Sequence, residues 1–428
     1  MKKYVFIILL VLLFSACGRA EEESYEEELP YQPHNYVVNL DDTVNQAFLD
    51  DLDYMLHVLE NNFALFDVAY WARGVDIYAI AHNLRTYIAN NTYIELDDFY
   101  IALYQHFMPL THIGHFGIVN PATHYWYITN NWLPPWNMEV LTRPHVLTFY
   151  EPRHHIHNNI GIDYERAPNV TANIIEEGAI AYLSINSFSN ATFQERLEDE
   201  AKIFDFYYEI QGFDHLIIDL RKNRGGNVFY FYDAIVGPNI STSLTIDGFA
   251  FVIHGEYSSQ FTQNLAGAEF PATTIRFIDN EPMLAAEILE TFNLPDFNTA
   301  DIVRLDYGFR TQLTVNPRRI PEFDSSPAFD GNIWVLTGPS TASSAQLAAW
   351  ISKDTGFATL VGEITGGVFG GQSTYIALPN TGIVFQMDLF YVTDQYGRPL
   401  EAGTIPHHFN RPGMDALETA LAIIAETP

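Results

Sequence analysis

Apolar positions in the first quarter of the chain recur at helical spacing. Val44, Phe48, Leu52, Met55 and Leu59 fall on one face, with acidic residues opening the segment, and Tyr78–Ile88 and Leu96–Phe107 repeat the pattern. The spacing predicts a small helical subdomain over 41–119. Past residue 170 the pattern changes: Thr171–Ile175, Ile180–Ile185 and the continuous apolar run His215–Leu220 read as strands, the last as a buried one. A helix anchored by Phe193, Leu197, Ile203 and Phe204 separates them, and Asn227–Val236 also reads as helical. A second buried strand, Ile333–Leu336, and a helix, Leu347–Ile351, enclose the turn Gly338-Pro339-Ser340-Thr341-Ala342-Ser343-Ser344-Ala345-Gln346. The unit strand, glycine-rich turn, helix thus occurs at 215–236 and again at 333–352. Strand Ala358–Val361, a hairpin at 378–383, further strand to Val392 and an amphipathic helix Asp415–Ala425 complete the chain. This alternation predicts an α/β protein with a mixed sheet, its core at 171–428. Residues 120–170, rich in Pro, Trp, His and Asn, give no element and read as an irregular linker or insert.

The ends and the charge add a setting. Lys2 and Lys3 precede an apolar stretch, Tyr4–Phe14, and then Ser15-Ala16-Cys17. The stretch is shorter than the ~20 residues a spanning helix needs. It resembles a bacterial lipoprotein signal, which implies a signal peptide at 1–16, lipid attachment to Cys17 and an extracytoplasmic protein lipid-anchored to a membrane of the bacterial cell envelope. Cys17 is the one cysteine in the chain, so no intramolecular disulfide and no cysteine metal cluster can form. Glu21–Glu28 makes 17–40 an acidic, solvated tether. A net charge of −32 speaks against a nucleic-acid partner and against electrostatic adhesion to anionic lipid.

Candidate chemistry lies in the turns. A serine where a strand becomes a helix sits among free backbone N–H groups and the positive end of the helix dipole, which suits a nucleophile whose reaction builds an oxyanion. Alone, Ser343-Ser344 would be an ordinary N-cap. Three other segments accompany it: Thr111-His112-Ile113-Gly114-His115-Phe116-Gly117, Asp219-Leu220-Arg221-Lys222-Asn223-Arg224-Gly225-Gly226-Asn227, and Leu400-Glu401-Ala402-Gly403-Thr404-Ile405-Pro406. His112 and His115 lie three apart but no third metal ligand is indicated, and His154-His155-x-His157 reads as exposed loop histidine. No glycine-rich turn ends in the Lys-Ser/Thr of a phosphate loop, so neither a metal nor any other cofactor is expected.

In order and content these segments resemble the C-terminal processing (tail-specific) serine peptidases, including the tricorn core. The family's Asp-Leu-Arg-x-Asn-x-Gly-Gly element stands in full at 219–226, its nucleophile element matches 341–345, and its Gly-Glu-x-Thr-Gly-Gly element matches 362–367. The likeness runs from about Asp41 to the C-terminus. It implies a ClpP/crotonase-like α/β core with an N-terminal helical subdomain, and a nucleophile at Ser343 rather than Ser344. The lysine base of the tail-specific enzymes has no counterpart in Gly366-Gly367-Val368-Phe369-Gly370-Gly371, and Lys353 lies on a predicted helix. The tricorn-like branch implies His115 as base, Glu401 orienting the histidine, and an oxyanion hole from the N–H groups of Gly225 or Gly226 and of Ser344. Gly114 stands where that branch often has serine. Many relatives carry a PDZ module, and 120–170 shows no complete one.

The expectation is a serine-type peptidase acting on peptides or unfolded protein outside the cytoplasmic membrane. The alternatives are a binding protein for peptides or apolar ligands and an esterase-like hydrolase. Whether Ser343 and His115 come within hydrogen-bond reach separates the first alternative from catalysis.

Overall fold

The computed structural model describes residues 44–91, 93–131, 133–154, 168–190, 192–262, 275–279, 281–320, 327–370 and 373–426. The predicted signal peptide, Cys17 and the acidic tether lie outside these residues. The periodic N-terminal segment forms α1 (Val44–Asn62), α2 (Phe66–Arg73), α3 (Ile77–Asn90) and α4 (Leu96–Phe107). Gly74 at φ 68° ends α2, and the Asp76 side chain caps α3 by accepting the Ala79 N–H.

After the short strand β1 (Gly117–Ile118), the first part of the segment that gave no element in sequence holds three helices. They are α5 (Pro121–Asn130), α6 (Pro135–Leu141) and α7 (Pro144–Tyr150), which corrects the reading of that part as irregular, while 155–167 lie outside the described residues. Each helix begins with proline, whose fixed φ and missing N–H suit the first helical position. None is long enough to show a period.

The core follows: β2 (Val170–Glu176), β3 (Ile180–Ile185), α8 (Phe193–Glu209), β4 (His215–Asp219) and α9 (Val228–Phe231). Next come β5 (Leu244–Val252), α10 (Glu256–Thr262), β6 (Ile275–Phe277), β7 (Met283–Leu284), α11 (Ala285–Thr291) and β8 (Tyr307–Val315). The chain closes with β9 (Asn332–Thr337), α12 (Ser344–Asp354), β10 (Thr359–Gly362), β11 (Ser373–Ala377), β12 (Val384–Asp388), β13 (Phe390–Asp394), β14 (His408–Phe409) and α13 (Ala416–Glu426).

A six-stranded sheet in the order β14-β10-β9-β4-β3-β2 is parallel except for β2, so the fold is mixed α/β as expected. Leu216 and Ile218 of β4 enter the main core, while Ile217 packs on the other face with Trp334, Leu336 and Val361 under α13. Burial on both faces is why β4 reads as an unbroken apolar run. An antiparallel sheet, β13-β5-β8-β6 with β7 on β8, and a three-stranded sheet, β1-β12-β11, complete the fold. The main buried cluster is continuous from Phe48 to Leu400, so the N-terminal helices share one core with the sheets.

Neighbouring parallel strands decide where the chemistry lies. β4 and β9 pair along their length, from His215↔Asn332 to Asp219↔Leu336. Their C-terminal ends therefore deliver the Gly225-Gly226 turn and the Ser343 turn side by side, the usual site position in an open α/β sheet.

Candidate active site

Ser343 stands between β9 and α12, held by both neighbouring turns. Thr341 Oγ1 donates to the Leu220 carbonyl (2.8 Å) and accepts the Gly338 N–H (3.1 Å). The Ala342 N–H reaches the Asn223 carbonyl (3.2 Å), and the Ser343 N–H reaches Gly367 O (2.9 Å). Ser343 has φ 56° and ψ −126°, a conformation non-glycine residues rarely adopt, and it is the residue before the first turn of α12.

His115 lies on the loop between α4 and β1, more than 200 residues from Ser343 in sequence. Strand β12 pins that loop: the Asp388 N–H donates to Gly114 O (2.7 Å) and Gln386 Nε2 to His115 O (2.9 Å). The imidazole then lies between two side chains. Its Nε2 is 2.9 Å from Ser343 Oγ, and its Nδ1 is 2.6 Å from Asp388 Oδ2. Asp388 is fully buried and also accepts the Gly370 N–H (2.9 Å) and the Ser373 hydroxyl (2.7 Å). An ionised carboxylate offers only acceptors, so it fixes the proton on Nδ1 and leaves the Nε2 lone pair for the serine hydroxyl. Burial pulls the His115 pKa down. The charge and hydrogen bond of Asp388, with the charge of Glu401, outweigh burial and leave it above the ordinary imidazole value.

Glu401 does not hold the imidazole. Its carboxylate is buried and accepts the N–H groups of Gly114 (3.2 Å), Val368 (3.2 Å) and Phe369 (2.8 Å). It sits in a short helical turn, Leu400–Ala402, whose side chain faces these loop amides, so it positions His115 through the backbone one residue earlier. This revises the orienting contact expected of Glu401: the ring contact belongs to Asp388. Burial pushes the Glu401 carboxyl up to about 7 against the opposing pull of the Phe369 and Gly114 amides. Val368, at φ 61°, occupies the stretch where a lysine base is absent, and its amide serves Glu401.

Gly114 has a steric explanation. It has φ 49°, and a Cβ there would lie 2.6 Å from Leu65 Cδ1 and 2.9 Å from Phe63 Cε2. A side chain at this place would force the buried Leu65 and Phe63 side chains to shift.

Of the oxyanion candidates, the Gly225 N–H is taken by Asn223 Oδ1 (2.9 Å), which removes it as a free donor. Gly225 serves by closeness instead: a Cβ there would be 2.7 Å from Ser343 Cβ and 2.9 Å from Ser344 N. Among the described residues no acceptor takes the N–H of Gly226 or of Ser344. Gly226, at φ 133°, could not carry a side chain, since its Cβ would fall 2.4 Å from the Phe188 carbonyl carbon.

The remaining candidates are structural or peripheral. Arg221 forms an ion pair with Asp219 (2.7 Å) and another with Asp415 (2.9 Å). His112 is exposed, Lys353 lies on α12, and His154 Nε2 contacts Nδ1 of the buried His124 (3.0 Å), while His155 and His157 fall outside the described residues. Among the described residues no group of three or more His, Cys, Asp or Glu side chains is placed to hold a metal ion.

Sequence reasoning missed Asp388 and Asn223. A lone carboxylate inside the apolar run Val384-Phe385-Gln386-Met387-Asp388-Leu389-Phe390 was the available signal, because a buried charge requires a partner. Asn223 lies in the quoted motif, and its role appears only once its carbonyl meets Ala342.

The family model of peptidase family S41 matches residues 179–409, more than half the chain. That span includes Ser343, Asp388 and Glu401 but not His115. No curated protein matches the chain. Among solved structures, mature CPAF complexed with lactacystin is similar at 14% identity, with 90% of this chain and 98% of that chain covered and a TM-score of 0.51. A CPAF mutant gives 14% identity, 85% and 93% coverage and a TM-score of 0.51. A lipoprotein from Streptococcus agalactiae gives 12%, 90% and 96%, with a TM-score of 0.44.

Proposed function

This chain belongs to peptidase family S41 and is a serine-type peptidase, and on that premise we propose that Ser343 is the nucleophile and His115 its general base. The observation that carries the reading is the continuous chain of contacts from Ser343 Oγ through His115 to Asp388, at 2.9 and 2.6 Å. The first distance also favours catalysis over a binding-only role.

His115 Nε2 takes the hydroxyl proton as Ser343 Oγ bonds to the scissile carbonyl carbon. The resulting oxyanion meets the N–H groups of Gly226 and Ser344 at the start of α12; one such donor is typically worth about 10²–10³ in rate. The imidazolium, stabilised by Asp388, then protonates the leaving amine as the C–N bond breaks. Water attacks the acyl-serine with His115 again as base, which releases the acid and restores the hydroxyl. Glu401 holds the loop that carries His115.

The substrates are peptides or proteins, and we place the enzyme outside the cytoplasmic membrane, anchored by lipid on Cys17. The basic, apolar and Ser-Ala-Cys segments at the N-terminus support this. No helix among the described residues is long and apolar enough to cross a membrane. A fluorophosphonate probe tests the nucleophile: labelling should occur and vanish in Ser343→Ala and His115→Ala, and a folded protein that does not label refutes the mechanism. Mass spectrometry of the N-terminal peptide tests the anchor, with an unmodified Cys17 in a membrane fraction as the refuting result.

A further inference from the structure

A cleft of about 400 Å³ opens beside α2, away from the contacts of the catalytic loop, lined by Phe66, Tyr70, Trp71 and Tyr78 together with Asp67 and Asp76. Tyr70 is 65% exposed, Trp71 42% and Tyr78 47%. One exposed ring is ordinary, but three around one cleft with carboxylates at its rim form an organised surface. The surface is held in place. Trp71 Nε1 donates to both oxygens of Asp301 (3.0 and 3.2 Å), and Asp301, itself buried, accepts the Tyr391 hydroxyl (2.8 Å). The Phe66 and Tyr78 rings lie 5.1 Å apart.

One of the lining rings already carries a cation on its face. The Arg304 guanidinium carbon lies 4.3 Å from the Phe66 ring centre, with its Nε 2.8 Å from Asp67. That pairing accounts for Asp67 and Phe66, and the same guanidinium hydrogen-bonds Tyr78. It leaves Tyr70, the outer face of Trp71, and Asp76, which caps α3 and has no cationic partner among the described residues. Aromatic faces beside a carboxylate attract organic cations, more strongly as water is displaced. A net charge of −32 draws cations toward the whole surface.

The same helix reaches the catalytic loop. Leu65, just before α2, fills the space beside Gly114, and Arg73, at its end, donates to the carbonyls of Gly366 (2.5 Å) and Glu401 (3.1 Å). We propose that the cleft is a secondary site for a lysine or arginine side chain of the peptide substrate, seated against Tyr70 and Trp71 with Asp76 as counter-charge. This rests on the peptidase reading and adds to it a preference for basic residues away from the scissile bond.

The test uses pairs of quenched fluorogenic peptides identical except for lysine or norleucine at successive positions. At one position the lysine peptide should have a KM lower by about three- to tenfold at unchanged kcat, and the gain should shrink in about 0.5 M salt. The double variant Tyr70→Leu/Asp76→Asn should erase the gain while leaving the norleucine peptide unaffected. Asparagine retains the cap on α3. Equal KM values at every position, or a gain that survives the double variant, overturn the proposal. Binding of the same peptides to the Ser343→Ala protein, read by quenching of tryptophan fluorescence, separates the two readings. Tighter lysine binding there supports the cleft even if no peptide is hydrolysed, and equal binding refutes it even if hydrolysis is robust.

Discussion

Replacing Asp388 with asparagine tests the site at its least foreseen contact. The carboxylate accepts three hydrogen bonds at full burial, from His115 Nδ1 (2.6 Å), the Gly370 N–H (2.9 Å) and the Ser373 hydroxyl (2.7 Å). An amide keeps the shape but places an NH₂ where Oδ2 stood. Facing that donor, Nδ1 must become an acceptor, so the ring proton moves to Nε2 and the lone pair that receives the Ser343 proton is lost. Forcing the wrong tautomer in a serine triad costs about 10⁴ in kcat, or roughly 5 kcal/mol at 1.36 kcal/mol per decade. The NH₂ also opposes the Gly370 N–H, which adds about 1–3 kcal/mol of lost stability, so folding should be checked by circular dichroism. Steady-state hydrolysis should show kcat reduced by about 10³–10⁴ with KM little changed, and fluorophosphonate labelling slowed in parallel. Glu401→Gln, which leaves the imidazole contacts in place, should cost much less. If Asp388→Asn keeps activity within about tenfold while Glu401→Gln loses 10³, the ring is held by Glu401 during turnover and the geometric argument fails.

The kcat/KM of the wild type should rise with pH through a midpoint above 6.5, because the base must be neutral and Asp388 raises its pKa over the opposing effect of burial; in Asp388→Asn the midpoint should fall below 6.5, and an unchanged midpoint would sink the assignment. Gly114→Ser should lower the melting temperature markedly, by an amount corresponding to about 2–4 kcal/mol, since it joins left-handed strain to a 2.6 Å clash with Leu65; a melting curve superposing on wild type would show that the loop adapts. Glu401 is an acid whose folded-state pKa is raised to about 7 by burial, so its contribution to stability is complete below about 4.5 and is lost as pH rises through 7. Glu401→Gln should therefore flatten the fall in melting temperature between about pH 5 and 8, worth about 3 kcal/mol, and parallel curves would refute the burial argument.

Much of the fold was legible because burial leaves a local trace. The period of Phe48, Leu52, Met55 and Leu59 announced α1, and the unbroken run at 215–220 announced a strand covered on both faces. Helices α5–α7 left no such trace, since each is too short for a period and its start is marked only by proline and, in α5, by the Asn120 cap. The sheet built on β5 and β8 was not anticipated either, because its register is set by cross-strand partners some 60 residues apart, such as Gly248↔Thr311.

The site divides along the same line. Sequence alone marked the Ser343 turn and the Gly225-Gly226 turn as candidates, because each is a contiguous motif with its own backbone requirement, and His115 and Glu401 entered as candidates by resemblance to a family. What belongs to tertiary structure is which groups meet. Ser343, His115 and Asp388 come from three separate elements, and the imidazole is shared between the serine and the aspartate at 2.9 and 2.6 Å. The same folding turns Glu401 toward backbone amides and the Gly225 N–H toward Asn223. A carboxylate's partner depends on where strands and loops converge after folding, and the electrostatic cost of leaving it unpaired in the interior selects that partner.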